Sequence, residues 1–170
     1  MAGSIPNRPK ETQDPVSIAV VASLYHDTYV SGMIDAAREE IQLMAPNASI
    51  TVYRVPGAFE IPVTVELALR HSGADAVMAL GCIIRGETEH ADLVAASVTD
   101  ALQRLALKHV IPVVHEVLLL DSEEQAEERC LGATINRGTE AARVAMNMVQ
   151  LFKKMRQAFG VTRTSDFHQD

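Results

Sequence analysis

DAVMALGCII, residues 75–84, carries no charge between Asp75 and Arg85. A half-exposed strand would alternate apolar and polar side chains. An unbroken apolar run of strand length reads as a strand buried on both faces, which is the signature of a parallel sheet covered by helices. Three more runs have the same character: VSIAVVAS (16–23), ASITVYRV (48–55) and IPVVHEVLLL (111–120). Helical patterns separate them. Residues 28–45 place Val30, Met33, Ile34, Ala37, Ile41 and Met44 on one stripe. Residues 61–71 form a second helix with Pro62 in its first turn, where its missing N–H costs nothing. A third spans 90–108. DSEEQAEERC (121–130) opens a fourth, its early acids suited to the positive end of the dipole, and a fifth runs over 138–158. Alternating strands and helices predict a three-layer α/β/α sandwich, flavodoxin-like, with a four-stranded parallel sheet flanked by helices.

The chain has 170 residues, 48% of them hydrophobic and 22% charged, which suits one domain with a full core. We place that domain at residues 16–158, between a tail at 1–15 with three prolines and a tail at 159–170 that follows the helix-capping Gly160. A net charge of −7 and the lack of a basic run argue against nucleic acid. Cys82 and Cys130 form no C-x-x-C pair, and the six histidines show no H-x-x-x-H or H-E-x-x-H spacing, so no metal site is expected. No stretch reaches the length of a membrane span, and the N-terminus lacks a signal-peptide core. The expected location is the cytoplasm.

Ligands of such folds bind beyond the carboxyl ends of the strands. Four segments meet on that rim: Leu24–His26, Pro56–Glu60, Arg85–His90 and the chain from Leu119. In RGETEH (85–90), a strand ends in glycine just before a helix. Free N–H groups and the Thr88 hydroxyl would suit an anion, or Thr88 is simply the helix N-cap. Glu87 and Glu89 would oppose a phosphate unless they point away. At a helix start, the dipole favours a neutral His90 imidazole fit to accept a proton; the alternative is a surface histidine. Gly57 permits close approach to a ligand, whereas Phe59 reads equally as core and Glu60 as a solvated acid. Tyr25 either stacks on a flat ring or covers a strand end. An ordinary salt-bridged helix face accounts for Arg129 among Glu123, Glu124, Glu127 and Glu128. Taken together, the rim suggests a phosphorylated small substrate, a planar partner and proton transfer.

VPGAFEIP (55–62), GCIIRGETEH (81–90), PVVHEVLLLDSEEQAEER (112–129) and NRG (136–138) resemble, in order and spacing, the lumazine synthase family. VVASLYHD (20–27) fits that family's first strand end, and the resemblance covers residues 16–156. It implies a transferase of riboflavin biosynthesis. The reaction condenses 5-amino-6-(D-ribitylamino)uracil with 3,4-dihydroxy-2-butanone 4-phosphate to give 6,7-dimethyl-8-ribityllumazine, phosphate and water, without metal or organic cofactor. It also implies sites shared between subunits of a homo-oligomer (a pentamer or its multiples up to a 60-mer shell) and riboflavin synthase as a candidate partner. Tyr25 takes the ring-stacking position. Ala58, Phe59 and Glu60 line the pyrimidine and ribityl pocket, Cys82, Ile83 and Ile84 the ring edge, and His115 and Arg137 complete it. Gly86, Glu87, Thr88 and the adjacent subunit's Arg129 hold phosphate, and His90 transfers protons.

The chain departs from the family pattern at several positions. His115 replaces a usual phenylalanine, Glu116 a glycine, Leu119 a threonine, Glu87 a small residue, Ala91 an aromatic and Arg137 a lysine. CLGATI (130–135) stands where a glycine-lysine pattern is usual. His115 and Glu116 motivate an alternative, a non-catalytic flavin- or lumazine-binding or shell-forming relative. A flavodoxin-like anion-binding regulator is a further reading.

Overall fold

A computed structural model describes residues 6–134 and 136–161. Its sheet has the order β2-β1-β3-β4, all parallel, from β1 (Ser17–Ser23), β2 (Ser49–Val55), β3 (Ala76–Ile84) and β4 (Val113–Leu120). Between and after them run α1 (Asp27–Met44), a 3-10 turn (Ala58–Glu60), α2 (Ile61–His71), α3 (His90–His109), α4 (Glu123–Cys130) and α5 (Arg137–Phe159). The three-layer arrangement expected from the sequence is the one observed.

β3 behaves as its composition requires. Ala76, Met78, Leu80 and Cys82 enter one core with α1, α4 and α5, while Val77 and Ala79 enter the other with α2 and α3. β1 divides likewise: Ile18, Val20 and Ala22 face the first core, Ala19 and Val21 the second. Both central strands are therefore dry on both faces, which places most of the apolar burial, and hence most of the driving force, at the middle of the sheet.

β4 starts at Val113, not at Ile111 as its apolar run suggests. α3 ends at Val110 in a left-handed conformation (φ 49°), and Pro112 has no N–H for the ladder, so it only accepts from Val77 (2.9 Å). The other elements fall within two residues of their expected limits, and Gly160 caps α5 at φ 67°. Residues 6–15 lie extended along α1 and α5. Arg8 and Arg143 both bind Glu40 at 2.7 Å, the Thr12 N–H donates to the Met44 carbonyl at 2.9 Å, and Gln150 donates to the Lys10 carbonyl at 2.9 Å.

α1 and α5 cross very closely. A Cβ on Gly138 would sit 1.9 Å from the Met33 carbonyl oxygen, so only glycine permits this contact. The crossing fixes the first turn of α5, and with it Arg137, against the strand ends.

Candidate active site

The rim is tied together by backbone before any side chain acts. Leu24 N–H donates to the Val55 carbonyl (2.7 Å) and Tyr25 N–H to the Pro56 carbonyl (3.2 Å), so the exits of β1 and β2 are held side by side. Arg85 N–H donates to the Leu120 carbonyl (2.9 Å), which joins the exits of β3 and β4. His26 turns the chain from β1 into α1 at φ 56°, an uncommon conformation for a residue other than glycine. This turn leaves Tyr25 71% exposed, with its ring edge-on to His26 at 5.1 Å.

After β2, the 3-10 turn presents Phe59 and Glu60 outward. The Val55-Pro56-Gly57 segment signals a turn between strand and helix; its 3-10 form is visible only in the fold. Gly57 is extended (φ −140°), and what comes close to it is the Glu60 carboxylate: a Cβ there would lie 2.9 Å from Oε2. The glycine therefore lets Glu60 fold back over the turn. Phe59, 63% exposed, joins His90, Leu93, Val94 and Ser97 around an open groove of about 520 Å³. Leu93, Val94 and Ser97 went unnoticed in the sequence. Their spacing from His90 on α3 (three, four and seven residues) was the signal that could have found them.

β3 delivers Ile83 and Ile84, both half-buried, to the rim. Cys82 is 2% exposed; its thiol reaches Cys130 in the core, and this contact, with burial, pushes the Cys130 thiol up. Gly86, Glu87, Thr88 and Glu89 are all exposed, and nothing lies within 4 Å of where a Gly86 Cβ would be. The Thr88 N-cap reading is not what the structure shows. Glu89 occupies the cap position and makes no side-chain cap bond, so the first N–H groups of α3 lack that partner. Arg85 is occupied elsewhere, bridging Asp92 (2.8 Å) and Asp121, and these two carboxylates raise its pKa further. It is not free to meet an anion.

The remaining residues named from the sequence lie on β4, α4 and α5, and none of them lines the groove beside His90. His115 Nε2 sits 2.9 Å from Thr99 Oγ1. The salt-bridged reading of Arg129 is overturned: among the described residues it forms no ion pair and no hydrogen bond, despite four nearby acids on its own helix. A half-buried arginine left unpaired at the end of α4 is a ready partner for an anion. Arg137 Nη1 donates to Glu140 (2.7 Å), while its Nε is buried without a partner. Glu116 is pushed up to about 7 by burial, an effect that Arg137 opposes and Glu140 reinforces. Among the described residues, no group of three or more His, Cys, Asp or Glu side chains is placed to hold a metal ion.

Comparison with known proteins assigns the chain to a family. A family model described as 6,7-dimethyl-8-ribityllumazine synthase matches residues 15–153. Among curated relatives of that name, the protein of Leifsonia xyli subsp. xyli is 41% identical over 141 residues, covering 82% of this chain and 87% of the relative. That of Chlorobium limicola is 39% identical over 140 residues (82% and 90%). That of Azorhizobium caulinodans is 35% identical over 142 residues (81% and 86%).

Proposed function

Because the chain belongs to the 6,7-dimethyl-8-ribityllumazine synthase family, we propose that its strand-end rim is the active site of that synthase. The protein is a transferase of riboflavin biosynthesis. It condenses 5-amino-6-(D-ribitylamino)uracil with 3,4-dihydroxy-2-butanone 4-phosphate to 6,7-dimethyl-8-ribityllumazine, releasing phosphate and water. Nothing in the comparisons favours the non-catalytic alternative.

Each rim residue receives a role from chemistry. The amino group of the uracil is already a nucleophile, so the protein need not supply one. Orientation of the two substrates then provides the main acceleration, worth several kcal/mol. Tyr25 stacks on the uracil ring, and Ala58, Phe59, Ile83, Ile84 and the backbone of Cys82 enclose it. Glu60 accepts hydrogen bonds from ribityl hydroxyls. The uncapped N–H groups of α3, with Gly86, Glu87 and Thr88, receive the phosphate. His90, on the wall of the groove, moves the protons for imine formation and phosphate loss, a contribution of roughly 10²- to 10⁴-fold.

Arg129, His115 and Arg137 act from a neighbouring subunit. Two observations support this: they do not line their own chain's groove, and Val63 and Leu67 on α2 with Leu93 and Leu107 on α3 expose large apolar surface. A homo-oligomer built from pentamers covers that surface, and a 60-mer shell is one such assembly. Residues 16–158 are the synthase domain, flanked by tails 1–15 and 159–170. The cytoplasm is the proposed location; no helix among the described residues is long and apolar enough to cross a membrane. Riboflavin synthase, which consumes the lumazine, is the proposed downstream partner.

The unpaired guanidinium of Arg129 carries the phosphate reading. Charge-assisted hydrogen bonds are worth about 1.5–3 kcal/mol. Arg129→Ala should therefore raise KM for the butanone phosphate about 10- to 150-fold with the fold and the uracil KM retained. An unchanged KM removes Arg129 from the site.

A further inference from the structure

β4 carries an acid that the reaction as derived does not use. Glu116 lies on the strand face shared with Val114 and Leu120, which α5 covers. Opposite it, the first turn of α5 offers one guanidinium, Arg137, to two carboxylates, Glu116 and Glu140. Arg137 Nη1 is taken by Glu140, but Nε is buried with no partner. A buried N–H without an acceptor is costly, so the site holds an unmet demand for one more oxygen.

We propose that Glu116 is a positioning residue which takes the free Nε of Arg137 and so locks the guanidinium between two carboxylates for contact with the aminopyrimidine.

A single positive charge cannot fully neutralise two half-buried carboxylates, so one of them holds a proton over part of the neutral range. Glu116 is that one, raised by burial to about 7, and its ionised form fills as pH rises. When the carboxyl releases its proton to solvent, the carboxylate accepts from Nε and fixes the side chain. When it is protonated, Arg137 is held by Glu140 alone. Among the described residues, the charges that act on Glu116 are those of Arg137 and Glu140; the Cys130 thiol of α4 also lies within reach of Glu116, and itself neighbours Cys82 of β3 and Arg129. The Cys130 thiol is held above its ordinary range, so it does not compete in this window.

The inference rests on the reading that Arg137 meets the aminopyrimidine, and the test separates the two. KM for the aminopyrimidine is measured at saturating butanone phosphate between pH 6 and 8.5, for the full-length protein and for Glu116→Gln, Glu140→Gln and Arg137→Gln. In the unaltered protein KM should fall about threefold across this range, the scale of one partly screened ion pair, and the change should sit in KM rather than kcat. Glu116→Gln should flatten the profile, and Glu140→Gln should move its midpoint to lower pH, because Glu116 then has the guanidinium to itself. Arg137→Gln should raise KM at every pH. If Glu116→Gln keeps the fall while Arg137→Gln raises KM, the contact stands and the positioning role is wrong. An Arg137→Gln variant with an unchanged KM overturns the contact, and the proposal with it.

Discussion

Glu116→Gln should make this protein more stable at alkaline pH and change it little at acidic pH. The carboxyl has an ordinary value of 4.5 and is pushed up to about 7 in the folded chain, first by burial. The folded state thus binds this proton more tightly than the unfolded state. Between 4.5 and about 7 the unfolded chain has lost the proton and the folded chain still holds it, so stability falls as pH rises through that window. At ~1.4 kcal/mol per tenfold change, the full shift corresponds to about 3 kcal/mol. Glu116 is half-buried, not sealed, so solvent screening reduces this to about 2 kcal/mol. Glutamine keeps the shape and the hydrogen-bonding capacity but carries no charge to bury. For a chain of this size, 2 kcal/mol corresponds to about 4–8 °C in Tm. Thermal or urea unfolding of both proteins at pH 5 and pH 8 reads the difference directly. It should be small at pH 5, where only about a quarter of the loss has accrued, and favour the variant fully at pH 8. A difference of equal size at both values, or a variant less stable at pH 8, refutes the assignment of a buried proton to Glu116.

Gly138→Ala should destabilise the chain by at least ~3 kcal/mol, because its Cβ would overlap the Met33 carbonyl and force α1 and α5 apart; urea midpoints or loss of soluble protein will show it. Glu66 behaves oppositely to Glu116. Burial works to raise it, but hydrogen bonds from Lys108, Arg70 and His109 prevail and hold it at about 2. Its stabilisation is therefore present above 4.5 and lost as pH falls from there toward 2, so Glu66→Gln should cost about 1 kcal/mol at pH 7 and almost nothing at pH 2.5 in unfolding curves.

The fold could be read from the sequence because its main determinant is local. β3 is apolar without interruption, and only burial on both faces accommodates that. The helix stripes and Gly160 likewise act within a few residues of themselves. Where distant segments meet, the sequence was silent. Arg85 pairs with Asp92 and with Asp121, the latter 36 residues away, and nothing in RGETEH announces that its arginine is already engaged. Glu116 and Arg137 face each other only because α5 folds back over β4. The reason for Gly138 lies in α1, more than a hundred residues earlier. β4 lost its first two expected residues to a left-handed Val110 and to Pro112. The site was legible as a set of residues on one rim, since strand ends in a parallel sheet share an edge. The division of that set was not: Phe59 and His90 share a groove within one chain, while Arg129, His115 and Arg137 stand away from it.

Turnover is the decisive measurement of synthase activity. Purified protein is supplied with the aminopyrimidine and the butanone phosphate, and the lumazine chromophore is followed against the uncatalysed background, alongside His90→Ala. A synthase gives a rate proportional to protein concentration that falls by roughly 10²-fold or more in the variant. A folded protein that binds the aminopyrimidine but forms no lumazine above background would contradict the synthase reading, and an unaltered rate in His90→Ala would remove the proton-transfer role from that histidine.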